Sequence, residues 1–298
     1  MTTQTEISQS PILPRPHAAR SVPSDAATTV VETRKGWQLV NLRELWQYRA
    51  LLYFLVWRDV KVRYKQTALG AVWAILQPAA MMVVFTLVFG RLAKLPTGDI
   101  AYPLFAYCGL LPWTFFAASI ASAGSSVVAS ERLITKVYFP RLAIPLAAVG
   151  TAVVDLMIAC SLLVVLMWWF GAGFSASMLL APLCLLPIMI FAVGVGSLLA
   201  ALTVMYRDFR HVVPIMVQVW LFATPTVYMK LPADGSTFVH WLAMFNPMTS
   251  LVAGFRAAVL GGEMPWLGLV LSTGLALLTV AVGCLYFRRV EDSFADTI

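Results

Sequence analysis

The sequence predicts an all-α polytopic membrane protein: six transmembrane helices, an N-terminal interfacial amphipathic helix, and a short re-entrant helix pair before the last span. Three observations predict it. The 298 residues are 60% hydrophobic and only 12% charged, about half the charged fraction of a globular chain, and such a chain cannot cover its apolar surface in water. From Gly70 to Phe287 the apolar character is nearly continuous, long enough for several crossings at roughly 20 residues each. The basic residues fall in short clusters beside the apolar runs. That pattern orients a chain in a bilayer, so the net charge of +7 implies no nucleic-acid partner.

Residues 1–36 are polar and rich in Ser, Thr and Pro. They lack the apolar core of a signal peptide, and a disordered tail is expected. The next region, 37–69, holds the run Ala50–Trp57, too short to cross, followed by Arg58, Asp59, Lys61, Arg63 and Lys65. On a helix Arg58, Lys61 and Lys65 share one face, while Trp57, Val60 and Tyr64 share another. This suits a helix lying among lipids in the interface plane; a solvated juxtamembrane helix would carry the same charges.

Residues 70–298 then form the six-span domain. Its expected spans are Gly70–Phe89, Tyr102–Val128, Leu142–Phe170, Met178–Met205, Val212–Met229 and Trp266–Phe287. Pro78, Pro112 and Pro187 lie inside spans and predict kinks whose freed carbonyls neighbouring helices must satisfy. Small residues from Ala117 to Ser126 and from Gly194 to Ala201 allow close helix approach. Within 230–265, Val239–Leu260 is about long enough to span, but Asn246-Pro247 divides it and Arg256 interrupts the second half. It reads as two short re-entrant or interfacial helices.

Charge tests this topology. Arg58, Lys61, Arg63, Lys65, Arg132, Lys136, Arg141, Arg207, Arg210, Arg288 and Arg289, eleven in all, fall on one side. Arg91, Lys94, Lys230 and Arg256, four in all, fall on the other. The positive-inside rule makes the richer side cytoplasmic, with both termini there.

The one acidic residue inside an expected span is Asp155. It lies fourteen residues past Arg141, roughly 20 Å along a helix, with no cation in its own span. It could be a polar pathway residue, a proton site, or a hydrogen-bonded helix contact. Ion-coupled carriers usually keep more such groups, so the driving energy is expected from elsewhere. Cys108, Cys160, Cys184 and Cys284 are widely spaced in apolar stretches and read as packing. The chain lacks GxxxxGK[ST], HExxH and GxSxG, and its histidines are scattered. No enzyme activity, metal site or bound cofactor is expected on it.

Five local segments carry a resemblance. They are Arg58-Asp59-Val60-Lys61-Val62-Arg63-Tyr64-Lys65 with Leu69-Gly70, Trp73 and Gln77-Pro78; Glu131–Arg141; Tyr206-Arg207-Asp208-Phe209; Thr224-Pro225-Thr226-Val227-Tyr228; and Phe245-Asn246-Pro247 with Phe255-Arg256. In that order they resemble the ABC-2 type permeases of polysaccharide export, over roughly residues 40–298. Capsule and teichoic-acid exporter permeases are near relatives of the O-antigen branch it looks most like. The resemblance implies a homodimer bound to two ATP-binding cassette subunits, with ATP and Mg held by those partners. It implies export of a lipid-linked glycan through a bacterial inner membrane, and it makes the 230–265 segment periplasmic.

Roles can be assigned on that basis. Glu131, Arg132, Leu133, Ile134, Lys136 and Val137, with Tyr206, Arg207 and Asp208, are candidates for coupling to the ATPase. An amphipathic helix over Glu131–Arg141 would insert Leu133, Ile134 and Val137 into the partner, its charges setting register; a plain orientation anchor would look alike. Arg58, Lys61, Arg63, Tyr64 and Lys65 belong to the interfacial helix. Trp73, Phe85, Phe89, Trp113, Phe116, Phe222 and Tyr228, with Asp155, are candidates for lining a glycan path, since aromatic faces stack on pyranose rings; lipid-facing packing is the alternative. Asn246, Pro247 and Arg256 are candidates for a periplasmic gate. A lipid or drug permease of the same family, and a proton-coupled carrier using Asp155, are the competing functions.

Overall fold

The computed structural model describes residues 42–65, 70–93, 100–136, 139–173, 175–226 and 245–294, and every regular element among them is helical. The expected 1–36 tail, the first half of the re-entrant pair, Val137 and Tyr228 lie outside these residues. In chain order the helices are α1 Leu42–Gln47, α2 Arg49–Lys65, α3 Val72–Phe85 continued by a π-helical stretch Thr86–Leu92, and α4 Tyr102–Ala129. Then follow α5 Glu131–Ile134, α6 Ala143–Trp169, α7 Ala181–Met205 after a 3-10 turn at Ala176–Leu180, and α8 Phe209–Ala223. Last come α9 Pro247–Leu260, α10 Trp266–Val290 and a closing 3-10 turn, Glu291–Ser293.

Among the described residues five stretches are long and apolar enough to cross a membrane: Val72–Leu92, Tyr102–Ala129, Ala143–Trp169, Ala176–Met205 and Trp266–Val290. The span expected at Val212–Met229 is represented by α8, with 15 residues, about 22 Å of rise against a core of about 30 Å. Its end has a local cause. Thr224 is extended, with φ −108° and ψ 130°, because it precedes Pro225, whose ring disfavours helical geometry in the residue before it. The helices otherwise continue through Pro78, Pro112 and Pro187.

Helix α4 is the hub. Of its most apolar stretch 78% is buried, against 11% for α3, because α4 packs against α3, α6, α7, α8 and α9. Where α7 crosses α10 the backbones touch. A β-carbon on Gly194 would stand 2.6 Å from the Val280 nitrogen, and one on Gly283 would overlap the Gly194 carbonyl. Gly196 admits the Ala123 methyl of α4 in the same way. The small residues of α7 therefore do what their spacing suggested.

Two buried clusters result. One joins α4, α6, α7, α8 and α9 through the middle of the bundle and its outer end. The other gathers Leu55, Val127, Ile134, Phe139, Leu142, Val204, Phe287 and Phe294 at the end where the basic residues collect.

Candidate functional site

At the basic end, α5 is a single turn rather than an amphipathic helix over Glu131–Arg141. Glu131, Arg132, Thr135 and Lys136 are exposed, Leu133 is half-buried, and Ile134 is buried in its own subunit beside Phe139 and Leu142. Ile134 is therefore not available for insertion into a partner; a four-residue turn that seats one side chain in the core presents its charges outward. Tyr206, Arg207 and Asp208 are exposed at the bend between α7 and α8. Asp208 precedes α8 without capping it.

Helix α2 lies along α6. Leu55 clusters with Ile144 and Ala147, Val56 meets Gly150, and Arg63 and Tyr64 both hydrogen-bond Asp155. The contact advances in the same direction along both helices, over about 16 Å. Asp155 thus has the cation that its own span lacks, supplied from a helix ninety residues earlier in sequence. Burial first, and then the Asp155 hydrogen bond, push the Tyr64 phenol pKa up and keep it a donor.

The two expected faces of α2 are not kept apart. Tyr64 turns to α6 while Trp57 points outward, with the Lys61 ammonium 5.1 Å from its ring centroid. Arg58 pairs with Asp59 at 2.8 Å, and Lys65 is exposed. Packing against α6 overrides the simple facial split. Between α2, the last turns of α4 and the first turns of α6 lies a cleft of about 570 Å³, whose walls include Arg58, Asp59, Arg63, Ser125, Ser126 and Thr151. Sequence reading had placed these serines in helix packing only. Their hydroxyls donate to carbonyls of their own helix, Ser126 to Ala123 at 2.7 Å and Thr151 to Ala147 at 3.0 Å, so the lone pairs remain as acceptors. The signal was a row of hydroxyls at helical spacing next to a basic loop.

The aromatic candidates divide sharply. Trp113 and Phe116 are buried in the subunit, where they pack with Phe191 and Trp220 at centroid separations of 5.1 to 6.3 Å. They face inward because α4 is the hub, and they cannot line a path while this core is intact. Phe85 is buried and stacks on Phe89, which packs against the same core. Among the described candidates only Trp73 and Phe222 are largely exposed, on α3 and α8.

At the opposite end, Asn246 caps α9 and ties it to α8. Its Oδ1 accepts from Trp220 Nε1 at 3.0 Å and from Met248 N at 3.1 Å. Its Nδ2 donates to Thr224 Oγ1 at 2.8 Å and to the Ala223 carbonyl at 3.3 Å. Pro247 is buried at the first helical position, where a missing N–H costs nothing. Arg256 is half-buried against α4, its Cζ 3.9 Å from the Phe105 ring centroid and its Nη2 donating to the Thr226 carbonyl at 2.5 Å. Gly109 makes room for it; any β-carbon there would overlap both the guanidinium and that carbonyl. These three residues tie α8, α9 and α4 together at this end, although the Arg256 Nε is left without a hydrogen-bond partner among the described residues.

Among the described residues no group of His, Cys, Asp and Glu is arranged to hold a metal ion.

Comparison with known proteins accords with this arrangement. The sequence pattern described as ABC-2 type transporter matches residues 50–260. The O-antigen export system permease protein RfbA of Myxococcus xanthus is 31% identical over 260 residues, covering 86% of this chain and 98% of that protein. RfbA of Klebsiella pneumoniae is 27% identical over 253 residues, covering 83% and 95%. The polysialic acid transport protein KpsM of Escherichia coli is 23% identical over 243 residues, covering 79% and 92%. With the family pattern running from α2 through α9, and a relative above 30% identity aligned over almost its whole length, this chain belongs to the ABC-2 type transporter family.

Proposed function

We propose that this chain is the transmembrane subunit of an ABC exporter that moves a lipid-linked, O-antigen-like polysaccharide out of the cytoplasm, powered by ATP hydrolysis on separate subunits. The observation that carries this reading is the 31% identity to an O-antigen export permease across 260 residues, with capsule-type export also represented among the relatives. The chain lacks a phosphate-binding loop, so ATP and Mg reside on the partner. The chain is not itself an enzyme.

The exporter is a homodimer in the bacterial inner membrane, with two ATPase subunits docked at its basic end. Two features support a glycan path between copies rather than through one. The centre of the subunit is filled by the α4 aromatics. The faces of α3 and α8 that point away from it carry Trp73 and Phe222 together with the amides of Gln77 and Gln218. Polar groups on the outside of a membrane helix call for a polar or protein neighbour. In this reading α8 belongs to the sixth crossing. The α9 lock closes the periplasmic end, and the basic end with both termini faces the cytoplasm.

Two measurements test this. Cells lacking the chain should lose surface polysaccharide and regain it only when the chain and its ATPase partner are both supplied; restoration by the chain alone would rule the reading out. Reporter fusions active only outside the cytoplasm should be silent at the C-terminus and active within 230–237. The reverse pattern would overturn the orientation.

A further inference from the structure

The last span does not end in solvent: its continuation carries a buried aromatic ring. Helix α10 ends at Val290, a 3-10 turn follows over Glu291–Ser293, and Phe294 returns to the interior. Phe294 is fully buried, packed edge-to-face on Phe287 at 5.2 Å. The cluster that holds it also contains Ile134, Phe139 and Leu142, the apolar residues that seat the 131–142 loop. A second bond fixes the same junction: the Arg141 guanidinium donates to the backbone carbonyl of Glu291. The turn is closed by Ser293 Oγ, which donates to the Val290 carbonyl at 2.7 Å.

An exposed turn such as α5 has few contacts of its own with which to resist displacement. Here its buried side is bolted to the end of α10 by one apolar plug and one charge-assisted hydrogen bond. Force applied at Glu131–Lys136 reaches α4 and α6 through the chain. The plug and the bond join the loop to α10 directly, whereas the other route runs from α4 through α7 and its close crossing with α10.

We propose that the segment 287–294 is a strut, in which Arg141 and Phe294 are positioning residues that make the 131–141 loop and the last span move as one body when the ATPase acts. The proposal rests on the reading that this loop receives the partner, and it adds the element that carries the motion onward.

The test uses the full transporter, chain plus ATPase, in proteoliposomes, and compares two classes of variant. Arg132→Glu and Glu131→Lys address the docking itself and should weaken ATPase binding. Phe294→Ala and Arg141→Gln should bind the ATPase within about threefold of the parent, yet export about fivefold less polysaccharide per ATP hydrolysed, the lower end of ordinary coupling strengths. Phe294→Leu and Arg141→Lys should recover part of that ratio, which also covers the case where Phe294→Ala fails to assemble. A second readout is geometric. Spin labels at Thr135→Cys and at Arg289→Cys, on the exposed side of the end of α10, should hold one separation across nucleotide states, and the distribution should broaden in Arg141→Gln. Normal export per ATP in the strut variants, or a separation that changes with nucleotide in the parent, would overturn the strut while leaving the docking reading intact. Normal ATPase binding by both charge variants would remove the docking reading instead.

Discussion

The two ends of this bundle are held together by different physics. At the basic end the joining material is mostly apolar: Leu55, Ile134, Phe139, Leu142, Phe287 and Phe294 meet from five separate parts of the chain. Dispersion and shape hold most of such a junction, with the Arg141 bond to the Glu291 carbonyl as its one directional element. At the opposite end the joint is directional. Asn246 uses both ends of its amide, and Arg256 sits over Phe105 while reaching the Thr226 carbonyl. In a low-dielectric interior such groups are costly to leave unpaired, so the joint is either fully made or broken. A machine that receives force at one end and must stay sealed at the other would divide its interactions in this way.

The sharpest way to break the comparison is at the polar end. Asn246→Ala orphans Trp220 Nε1 and the Met248 N–H together, two buried donors at about 1–3 kcal/mol each. A loss of about 3–5 kcal/mol is expected in unfolding of the detergent-solubilised protein. Asn246→Asp keeps the acceptor but removes the donor and sets a buried carboxylate against the Ala223 carbonyl, so it should lose a comparable amount. A clearly smaller loss for Asp would mean that the amide is tied at its acceptor end only.

Second in size is the apolar counterpart. Ile134→Ala removes three methyl(ene)s from a buried seat and should cost about 2 kcal/mol of stability. The half-buried Leu133 should cost less when truncated. Had the loop inserted Ile134 into its partner, the stability of the isolated chain would be untouched and only ATPase binding would suffer. Unfolding of the isolated variant separates the two directly.

Much of this division was legible beforehand. The apolar runs, the eleven-to-four charge split and the small-residue faces came from composition and spacing alone, and α4, α6, α7 and α10 match the spans they predicted. What could not be read were the decisions that packing makes. Ile134 and Leu133 are neighbours of equal hydropathy, and only the seat beneath α5 selects which one turns inward. Trp113 and Trp73 look alike in sequence, yet one sits on the hub helix and the other on a peripheral one. Asp155 looked partnerless because its partners, Arg63 and Tyr64, come from a separate helix whose path along α6 depends on the close approach at Gly150. The end of α8 at Ala223 has a sequence cause, Thr224 before Pro225, that hydropathy averaging hides.

Asp155 supplies the third test, because it lies between the two regimes. Its pair with Arg63 is partly open to solvent, so the pair itself is worth about 1 kcal/mol or less. Asp155→Arg sets two cations together and should loosen α2 from α6, read as faster exchange of α2 amides and reduced export. The double variant Arg63→Asp with Asp155→Arg should recover most of both. If the double variant is as impaired as the single, the bond does not hold α2, and the apolar contacts of Leu55 and Val56 are sufficient.

The smallest expected effect is also the most specific. Glu131 is exposed at the first position of α5, beside the exposed Arg132 and Lys136. The surface α5 offers is therefore charged and wet, and charges at such a rim act on encounter more than on final affinity. Reversing Glu131→Lys places three cations within one and a half turns. It should slow ATPase association with little change in dissociation, and leave the stability of the chain within about 0.5 kcal/mol of the parent. The effect should grow as salt is lowered, since the interaction is screened over about 10 Å at 0.1 M. Association rates at two ionic strengths decide the matter. A salt-independent defect, or one confined to dissociation, would mean that Glu131 makes a buried contact in the complex, and the wet-rim description of α5 would have to be replaced by an inserted one.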